Sequence, residues 1–240
     1  MTIYVGSTKV GPCAVMQSIG VPREITSQGV FQRPSSNFTL TLPSDAATIG
    51  TYAMAYSFFS STGLVSIELP NVSSVNGSSA MACAFARCTA LTSINFAGLQ
   101  SIRGEYALNE AFAQCTALTS VNFQNLTTIT GGDSPLYQAF KSCSNLTSMN
   151  FPSLSTLTGY FALRWTFQSC SNLGSISFPS LNSNSFGSYT NQFNGMLSGV
   201  TGCTVHFPSN LQSVIGSWSD VTAGFGGTNT TVLFDLPATT

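Results

Sequence analysis

Hydrophobic and polar positions repeat along most of the chain with a period of about 27 residues. The unit that repeats is an apolar-polar-apolar triplet, and successive triplets lie 27, 27, 27, 28, 27, 29 and 29 residues apart. Pro directly follows six of the eight triplets, and Pro ends a strand because it has no N–H to donate. Such alternation is typical of a strand with one buried face. The pattern therefore predicts eight short strands, at Leu40-Thr41-Leu42, Ile67-Glu68-Leu69, Ile94-Asn95-Phe96, Val121-Asn122-Phe123, Met149-Asn150-Phe151, Ile176-Ser177-Phe178, Val205-His206-Phe207 and Phe234-Asp235-Leu236.

A second apolar pattern precedes the strands in the middle of the chain. Met81, Ala84, Phe85 and Cys88 lie at positions i, i+3, i+4 and i+7, and the same spacing recurs in the next three units. That spacing is typical of the buried stripe of a short helix. After each strand, a short segment of the form Leu-x-x-Ile-x-Gly, as at 126–131, returns the chain to the next unit.

The repeat predicts an α/β solenoid. A unit of this length does not bury its apolar face alone, so units stack on their neighbours. We expect a leucine-rich repeat with about eight parallel-strand rungs and short helices on the opposite face. The predicted organisation is an N-terminal leader or attachment segment at 1–30, the solenoid with degenerate terminal caps at 31–236, and a tail at 237–240.

The repeated motif AFxxCxxLTSINFPxLxxIxG resembles the BspA-like class of leucine-rich repeats, and the resemblance covers residues 31–236. It implies a cell-surface, secreted or phage-borne protein that binds other proteins or host surfaces. The segment IYVGSTKV at 3–10 is similar to short leader strands of phage virion proteins from gut bacteria. This second resemblance implies a virion protein.

Charge is scarce in this chain. Only 6% of residues are charged, against roughly 25% in an average soluble domain, and the formal net charge is -1. No basic run is present to neutralise phosphates, so nucleic acid is not expected as a partner. No stretch approaches the roughly 18 apolar residues of a membrane span, and the first 20 residues lack the apolar segment of a signal peptide. We therefore expect display on a virion or at an extracellular surface, and the missing signal favours a virion, whose proteins assemble inside the cell.

The cysteines are predicted to be core thiols. Cys88, Cys115, Cys143 and Cys170 share one position of the repeat. Neighbouring helices pack about 8–10 Å apart, whereas a disulfide needs Cα atoms within about 7 Å. Zinc requires paired Cys or His ligands, and the chain has one His, so we expect no metal and no cofactor. The pattern leaves Cys13 and Cys203 open, either as thiols or as bridged residues.

The polar residues of the strands predict a binding strip. In a strand with apolar flanks, the intervening side chain points to solvent, and a column of such side chains over eight strands is about 34 Å long. Neutral amides and hydroxyls can bind a protein or a glycan partner. Under the alternative, the filler hypothesis, they only keep the surface soluble and hydrogen-bond to one another along the ladder. Rings that stack on a sugar would come from the edges, at Tyr106, Tyr160, Trp165 or Trp218. The predicted strip consists of Glu68, Ser93, Asn95, Ser120, Asn122, Ser148, Asn150, Ser177 and His206.

Ser177, His206 and Asp235 have the residue types of a hydrolase triad on successive strands. Catalysis also needs an oxyanion hole and a pocket that excludes water, which an open strip does not offer. We expect no enzyme activity, and a solvated His206 that bonds to Asp235. Three functions remain open: a virion-associated module that binds a cell-surface protein or glycan, a structural decoration or spacer that contacts neighbouring virion subunits, and a secreted bacterial adhesin.

Overall fold

The computed structural model describes residues 3–5, 8–10, 37–41 and 47–239. The first two residues of each predicted triplet lie on a first set of parallel strands, most of which pair in register with partners 27 residues away. These strands are β3 (Phe38–Thr41), β5 (Leu64–Glu68), β7 (Ser93–Asn95), β9 (Ser120–Asn122), β11 (Ser148–Asn150), β13 (Ser175–Ser177), β14 (Thr204–Pro208) and β15 (Thr231–Leu236).

The first set is divided into two ladders. One has the order β3-β5-β7-β9 and the other β11-β13-β14-β15. Between them, β9 and β11 lie side by side without ladder pairing, and Val121 at the centre of β9 is only half-buried. The polar strip therefore consists of two blocks with an interruption between them.

The N-terminal edge of the first ladder is covered by a hairpin. Strand β1 (Ile3–Val5) pairs antiparallel with β2 (Thr8–Val10) and also with β3. These two strands belong to the predicted leader, and the rest of 1–30, with Cys13, lies outside the described residues. Among the described strands, the edge of this ladder is therefore β2 instead of β3, and a strand edge can pair with another chain.

A second parallel sheet forms from the segments predicted as simple returns. Its order is β12-β10-β8-β6-β4, and the central residue of its strands is buried, as Val75, Ile102 and Ile129 are. An apolar residue between two polar ones again gives one buried face. The strands are β4 (Thr48–Ile49), β6 (Ser74–Asn76), β8 (Ser101–Arg103), β10 (Thr128–Thr130) and β12 (Thr156–Leu157).

The predicted short helices are wrong. The segments that carry the i, i+3, i+4, i+7 stripe form consecutive tight turns, here called the turn ladder. Alternate N–H groups bond to a carbonyl three residues back, as Ala84 N does to Met81 O at 3.0 Å. The others bond to the next turn of the solenoid, as Phe85 N does to Ala111 O at 2.8 Å. Every fourth residue has a positive φ, for example 52° at Cys83.

The reason is the spacing of the repeat. Paired strands lie about 4.8 Å apart, whereas packed helices need about 8–10 Å. With strands on two sides of each unit, there is no room for a helix on the third side, and the segment bonds to its neighbours instead. The stripe itself is buried as predicted, at Met81, Ala84, Phe85 and Cys88. In the described residues, helical turns occur at Ser209–Leu211, Gln212–Ile215, Ser219–Thr222 and Gly224–Gly226.

The last triplet also needs correction. The eight strands of the first set bound about seven turns of a parallel-strand solenoid, which contains little helix. In the last pair, Val205 is opposite Val232 and His206 is opposite Leu233, with a register shift further along. The ring of Phe207 stacks on Phe234 with centroids 5.8 Å apart. The repeating triplet is therefore Val232-Leu233-Phe234, and Asp235 lies two residues beyond the position predicted for it.

Two columns of phenylalanine rings form the core. In the column below the turn ladder, Phe85 and Phe112 stack at 5.5 Å with planes 2° apart. In the column beside the first sheet, Phe151 and Phe178 stack at 5.2 Å. Because the rings stack at nearly the spacing between strands, each ring buries both of its faces. Equivalent side chains on the surface of neighbouring turns are therefore held at the same spacing.

Candidate functional site

The structure places the predicted strip in two registered blocks. Glu68, Asn95 and Asn122 are Cα partners across β5, β7 and β9. Asn150, Ser177 and His206 are Cα partners across β11, β13 and β14. The serines Ser93, Ser120 and Ser148 lie at the start of their strands, beside these columns.

The first block is bonded to itself. Asn95 Nδ2 donates to Glu68 Oε2 at 2.8 Å, and Asn122 Nδ2 donates to Asn95 Oδ1 at 3.2 Å. The backbone N–H of Ala97 also donates to Asn95 Oδ1, at 3.1 Å, and that of Gln124 to Asn122 Oδ1, at 3.0 Å. Both side chains are half-buried. In this block the asparagines bond along the ladder, as the filler hypothesis predicts.

The interruption between the blocks carries the most exposed part of the strip. Ser120, Ser148 and Asn150 are all exposed, whereas Asn95 and Asn122 are half-buried. Ser177 Oγ donates to Asn150 Oδ1 at 2.6 Å, which leaves the amide N–H groups of Asn150 without a bond to the described residues. These groups are available to a partner that approaches the sheet.

The triad geometry is absent among Ser177, His206 and Asp235. His206 Nδ1 lies 3.0 Å from both carboxylate oxygens of Asp235, which confirms the predicted pair. The hydroxyl of Ser177 donates to Asn150 instead of His206. Leu233, which is 36% exposed, occupies the strip position next to His206. The arrangement thus provides no contact between a nucleophile and a base.

No disulfide joins the described cysteines, but the reason differs from the predicted one, because the turns stack more closely than helices do. The thiols of the column donate to phenylalanine carbonyls of the preceding turn, and Cys170 Sγ lies 3.0 Å from Phe140 O. Burial raises the pKa of Cys170 to about 12 and that of Cys203 to about 11. Thiols with such pKa values are poor nucleophiles near neutral pH. The other bonds of this kind are Cys88 to Phe58, Cys115 to Phe85 and Cys143 to Phe112.

The described residues contain no candidate metal site and no long apolar helix. No three His, Cys, Asp or Glu side chains in this part of the chain are grouped as ligands of a metal ion. None of its helices is long and apolar enough to cross a membrane.

A second candidate surface lies on the outer side of the turn ladder and its rim. Its seven members, here called the aromatic patch, are linked by ring and cation contacts. The predicted edge residues Tyr106, Tyr160 and Trp165 belong to it, whereas Trp218 packs against Phe186 at 5.0 Å instead. The other four were not predicted from the sequence, although three of them are aromatic residues close to those edges. The patch consists of Tyr106, Tyr137, Tyr160, Phe161, Arg164, Trp165 and Tyr189.

Comparison with known proteins identifies the repeat. The family model of the BspA type leucine-rich repeat region matches residues 24–157 and 108–217, with six copies. A leucine-rich repeat protein of T. pallidum, known from its crystal structure, is similar at 20% sequence identity and a TM-score of 0.41. That match covers 82% of this chain and 92% of the other. No curated protein matches the sequence.

Proposed function

Because the chain belongs to the BspA-type leucine-rich repeat family, we propose that it is a non-enzymatic binding module that recognises a protein or glycan at a cell surface. Leucine-rich repeats generally mediate protein binding, and BspA-like members are often surface-associated. The observation that carries the proposal is the column of polar, mostly uncharged side chains along the first set of strands. We assign the contact surface to that strip.

The exposed middle of the strip supports this assignment. Ser120, Ser148 and Asn150 present hydroxyl and amide groups at the interruption between β9 and β11. Such groups both donate and accept, so they adapt to peptide carbonyls or to sugar hydroxyls. Their neutrality also avoids the desolvation cost of burying a charge at an interface.

The family and the fold are typically non-enzymatic scaffolds, and this agrees with the proposal. The bond from Ser177 to Asn150 supports it locally, because the serine hydroxyl is directed away from His206. A fluorophosphonate probe tests the point: labelling at Ser177 would contradict a purely binding role.

We place the module on a virion, as an adhesin or receptor-binding protein. The resemblance of residues 3–10 to phage leader strands supports this location. A secreted bacterial surface adhesin is the alternative with the same binding chemistry. Immunogold labelling of purified particles, compared with the bacterial surface, separates the two locations.

The strip is tested by a pair of matched double variants. Ser148→Glu with Asn150→Glu adds two charges to exposed positions of the strip. Asn76→Glu with Gln100→Glu adds the same charge to exposed positions at the second sheet. The first pair should reduce attachment to receptor-bearing cells at least tenfold, because an unpaired charge buried at an interface costs several kcal/mol.

The control pair should attach like the unchanged chain, and both variants should keep the circular dichroism spectrum and melting temperature. Equal attachment of the two variants would rule out the strip as the contact surface.

A structural role is the second candidate, favoured by the strand edges at the two ends of the solenoid. The hairpin β1-β2 occupies one end, and among the described strands β15 has only β14 as a neighbour. A strand edge pairs readily with another chain. In a decoration or spacer, deleting residues 1–30 would abolish incorporation into particles, while both double variants would incorporate and function normally.

A further inference from the structure

We propose that the aromatic patch is a binding site for an acidic saccharide, in which Arg164 takes the carboxylate and the exposed tyrosines take the sugar ring. The site lies on the outer side of the turn ladder and its rim, so it is separate from the strip, and it stands whether or not the strip binds a partner.

The seven side chains form one continuous cluster. On one side of Arg164, Tyr106 meets Tyr137 at 5.8 Å between ring centroids, and Tyr137 meets Trp165 at 5.4 Å. On the other side, Phe161 meets Tyr160 at 4.1 Å, and Tyr160 meets Tyr189 at 5.2 Å. This surface therefore supplies what the strip lacks, namely rings that can stack on a ligand.

Arg164 joins the two halves. Its guanidinium carbon lies 4.3 Å from the ring centre of Trp165, 4.7 Å from that of Phe161 and 5.9 Å from that of Tyr137. Contacts at these distances are within the range of cation–π attraction. The rings thus hold the guanidinium in place before a ligand arrives, which lowers the entropy lost on binding.

The charge of Arg164 is not neutralised within the described part of the chain. The ion pair found there joins His206 to Asp235, and no carboxylate oxygen lies within 4.0 Å of Arg164. Its Nε is buried without a hydrogen-bond partner, and its terminal nitrogens make no hydrogen bond to a described residue. A cation held by rings and lacking an anion is complementary to a carboxylate, which a guanidinium binds through parallel N–H groups.

The carboxylate that contacts the patch at Tyr106 is already engaged. Asp133 accepts hydrogen bonds from Ser134 Oγ at 2.6 Å and from Tyr106 Oη at 3.4 Å. Burial, and then the Asp133 charge, raise the pKa of the Tyr106 hydroxyl, which therefore stays protonated at neutral pH. Asp133 is thus bonded on the Tyr106 side of the patch, leaving Arg164 to a ligand.

The exposed tyrosines provide the place for the sugar ring. Tyr189 is 44% exposed and Tyr160 is 38% exposed, and their planes are inclined by 65°. The face of an aromatic ring is electron-rich and attracts the partly positive C–H groups on the face of a sugar. Phe161, which contacts both Arg164 and Tyr160, connects these two rings to the cation. Such an arrangement suits a pyranose whose ring carries a carboxylate, as in a uronic acid or a sialic acid.

Two rings of the aromatic patch are carried on left-handed backbone of the turn ladder. Phe161 has a φ of 50° and Trp165 a φ of 52°, a conformation that costs a bulky residue free energy. One turn later, Gly195 occupies the matching place, and a Cβ there would lie 2.5 Å from the indole of Trp165. The glycine therefore leaves room for the indole to lie against the backbone, which fixes the ring beside Arg164.

The test uses the whole chain and three probes of matched length. These are tetragalacturonate, its methyl ester, which is the same sugar without charge, and tetraglutamate, which has the same number of carboxylates without a sugar. Saturation-transfer difference NMR locates the bound protons, and titration gives the dissociation constants. We expect tetragalacturonate to bind at least tenfold more tightly than either of the other probes, with transfer from aromatic protons to the sugar ring.

Matched variants assign the contact residues. Arg164→Gln should weaken tetragalacturonate binding at least tenfold, because it removes a hydrogen bond between charged groups. Arg87→Gln is the control, since Arg87 also lies over a ring, that of Phe59 at 5.5 Å, but outside the patch. Tyr160→Ala with Tyr189→Ala should weaken binding several-fold, whereas Tyr52→Ala, at a residue 65% exposed, should leave it unchanged.

Three outcomes would overturn the proposal. No saturation transfer from any acidic saccharide, including a sialylated trisaccharide, would rule out the ligand class. Equal binding of tetraglutamate would make the patch an acidic-peptide site. Equal losses in Arg87→Gln and Arg164→Gln would reduce the effect to general electrostatic attraction.

Discussion

The polar strip and the aromatic patch are built on the same repeat, but they differ in whether their polar groups are hydrogen-bonded within the protein. In the first block of the strip, the amides of Asn95 and Asn122 bond to neighbouring strands and to the backbone. In the patch, the guanidinium of Arg164 is surrounded by rings and donates to no described acceptor. The strip stabilises its own ladder over much of its length, whereas the patch leaves a charge unsatisfied.

This difference shows that exposure and regular spacing do not identify a binding surface by themselves. A column of polar side chains at strand spacing first satisfies its own hydrogen bonds, since neighbours are always within reach. Groups that remain for a partner occur where the repeat is interrupted, as at Asn150, or where bulky rings replace polar residues, as around Arg164.

The largest expected effect comes from removing the scaffold that both surfaces share. Phe112→Ala deletes a fully buried ring that stacks on Phe85 and Phe140. We expect the free energy of unfolding in urea to fall by about 3–5 kcal/mol, because the cavity has rings on both sides. Tyr52→Ala, at an exposed residue, should change it by less than about 0.5 kcal/mol. Similar values for the two variants would contradict the stacked core.

A smaller effect on stability is expected at Gly195, where the indole of Trp165 lies against the backbone. Gly195→Ala places a methyl group at the indole of Trp165, at a position whose φ is 58°. We expect a loss of about 1–3 kcal/mol in stability and a red-shifted Trp165 emission, measured in a Trp218→Phe background. Gly202→Ala is the control, since its φ is also positive, at 75°, but a Cβ there meets nothing within 4 Å. The same emission shift in both would disprove the close approach.

In the strip, the expected effect is smaller again. Asn122→Ala removes a donor to Asn95 and an acceptor of the Gln124 N–H group. We expect a loss of about 1 kcal/mol in the free energy of unfolding. Ser120→Ala, at an exposed neighbour with no side-chain bond to the described residues, should cost less than about 0.5 kcal/mol. A neutral Asn122→Ala would mean that the strip is not bonded in solution.

The smallest effect is expected at the His206 pair. Asp235→Asn removes the negative charge of the pair. The Asp235 side chain is 45% exposed, so solvent screens its attraction to His206. The change in melting temperature should correspond to less than about 0.5 kcal/mol and should vanish in 1 M salt. A larger loss that salt does not reduce would show that the pair has a role beyond a surface contact.

The buried pattern was predictable from the sequence, but the backbone that carries it was not. The stripe at Met81, Ala84, Phe85 and Cys88 has helical spacing, and a run of turns with a period of four buries the same positions. Only the distance between units decides between the two structures, and that distance is set by strand pairing over many residues. The return strands were missed for a related reason, since two or three residues are too few for a periodic signal.

The strip positions were predictable because a strand alternates its side chains, but their bonding was not. Whether Asn95 is available to a partner depends on Glu68 and Asn122, which lie 27 residues away on either side. The patch combines residues from several turns, and no single segment contains a motif for it. Tyr137 and Arg164 become neighbours only through stacking, and so do Tyr160 and Tyr189.

Flow cytometry on whole bacterial cells tests most directly whether the solenoid itself recognises a cell surface. A fluorescent fusion of the intact chain is compared with one that lacks residues 1–30. If the solenoid binds, both fusions label the same cells. Recognition by the solenoid is contradicted if neither fusion labels any cells and the chain co-purifies with a larger particle only when residues 1–30 are present.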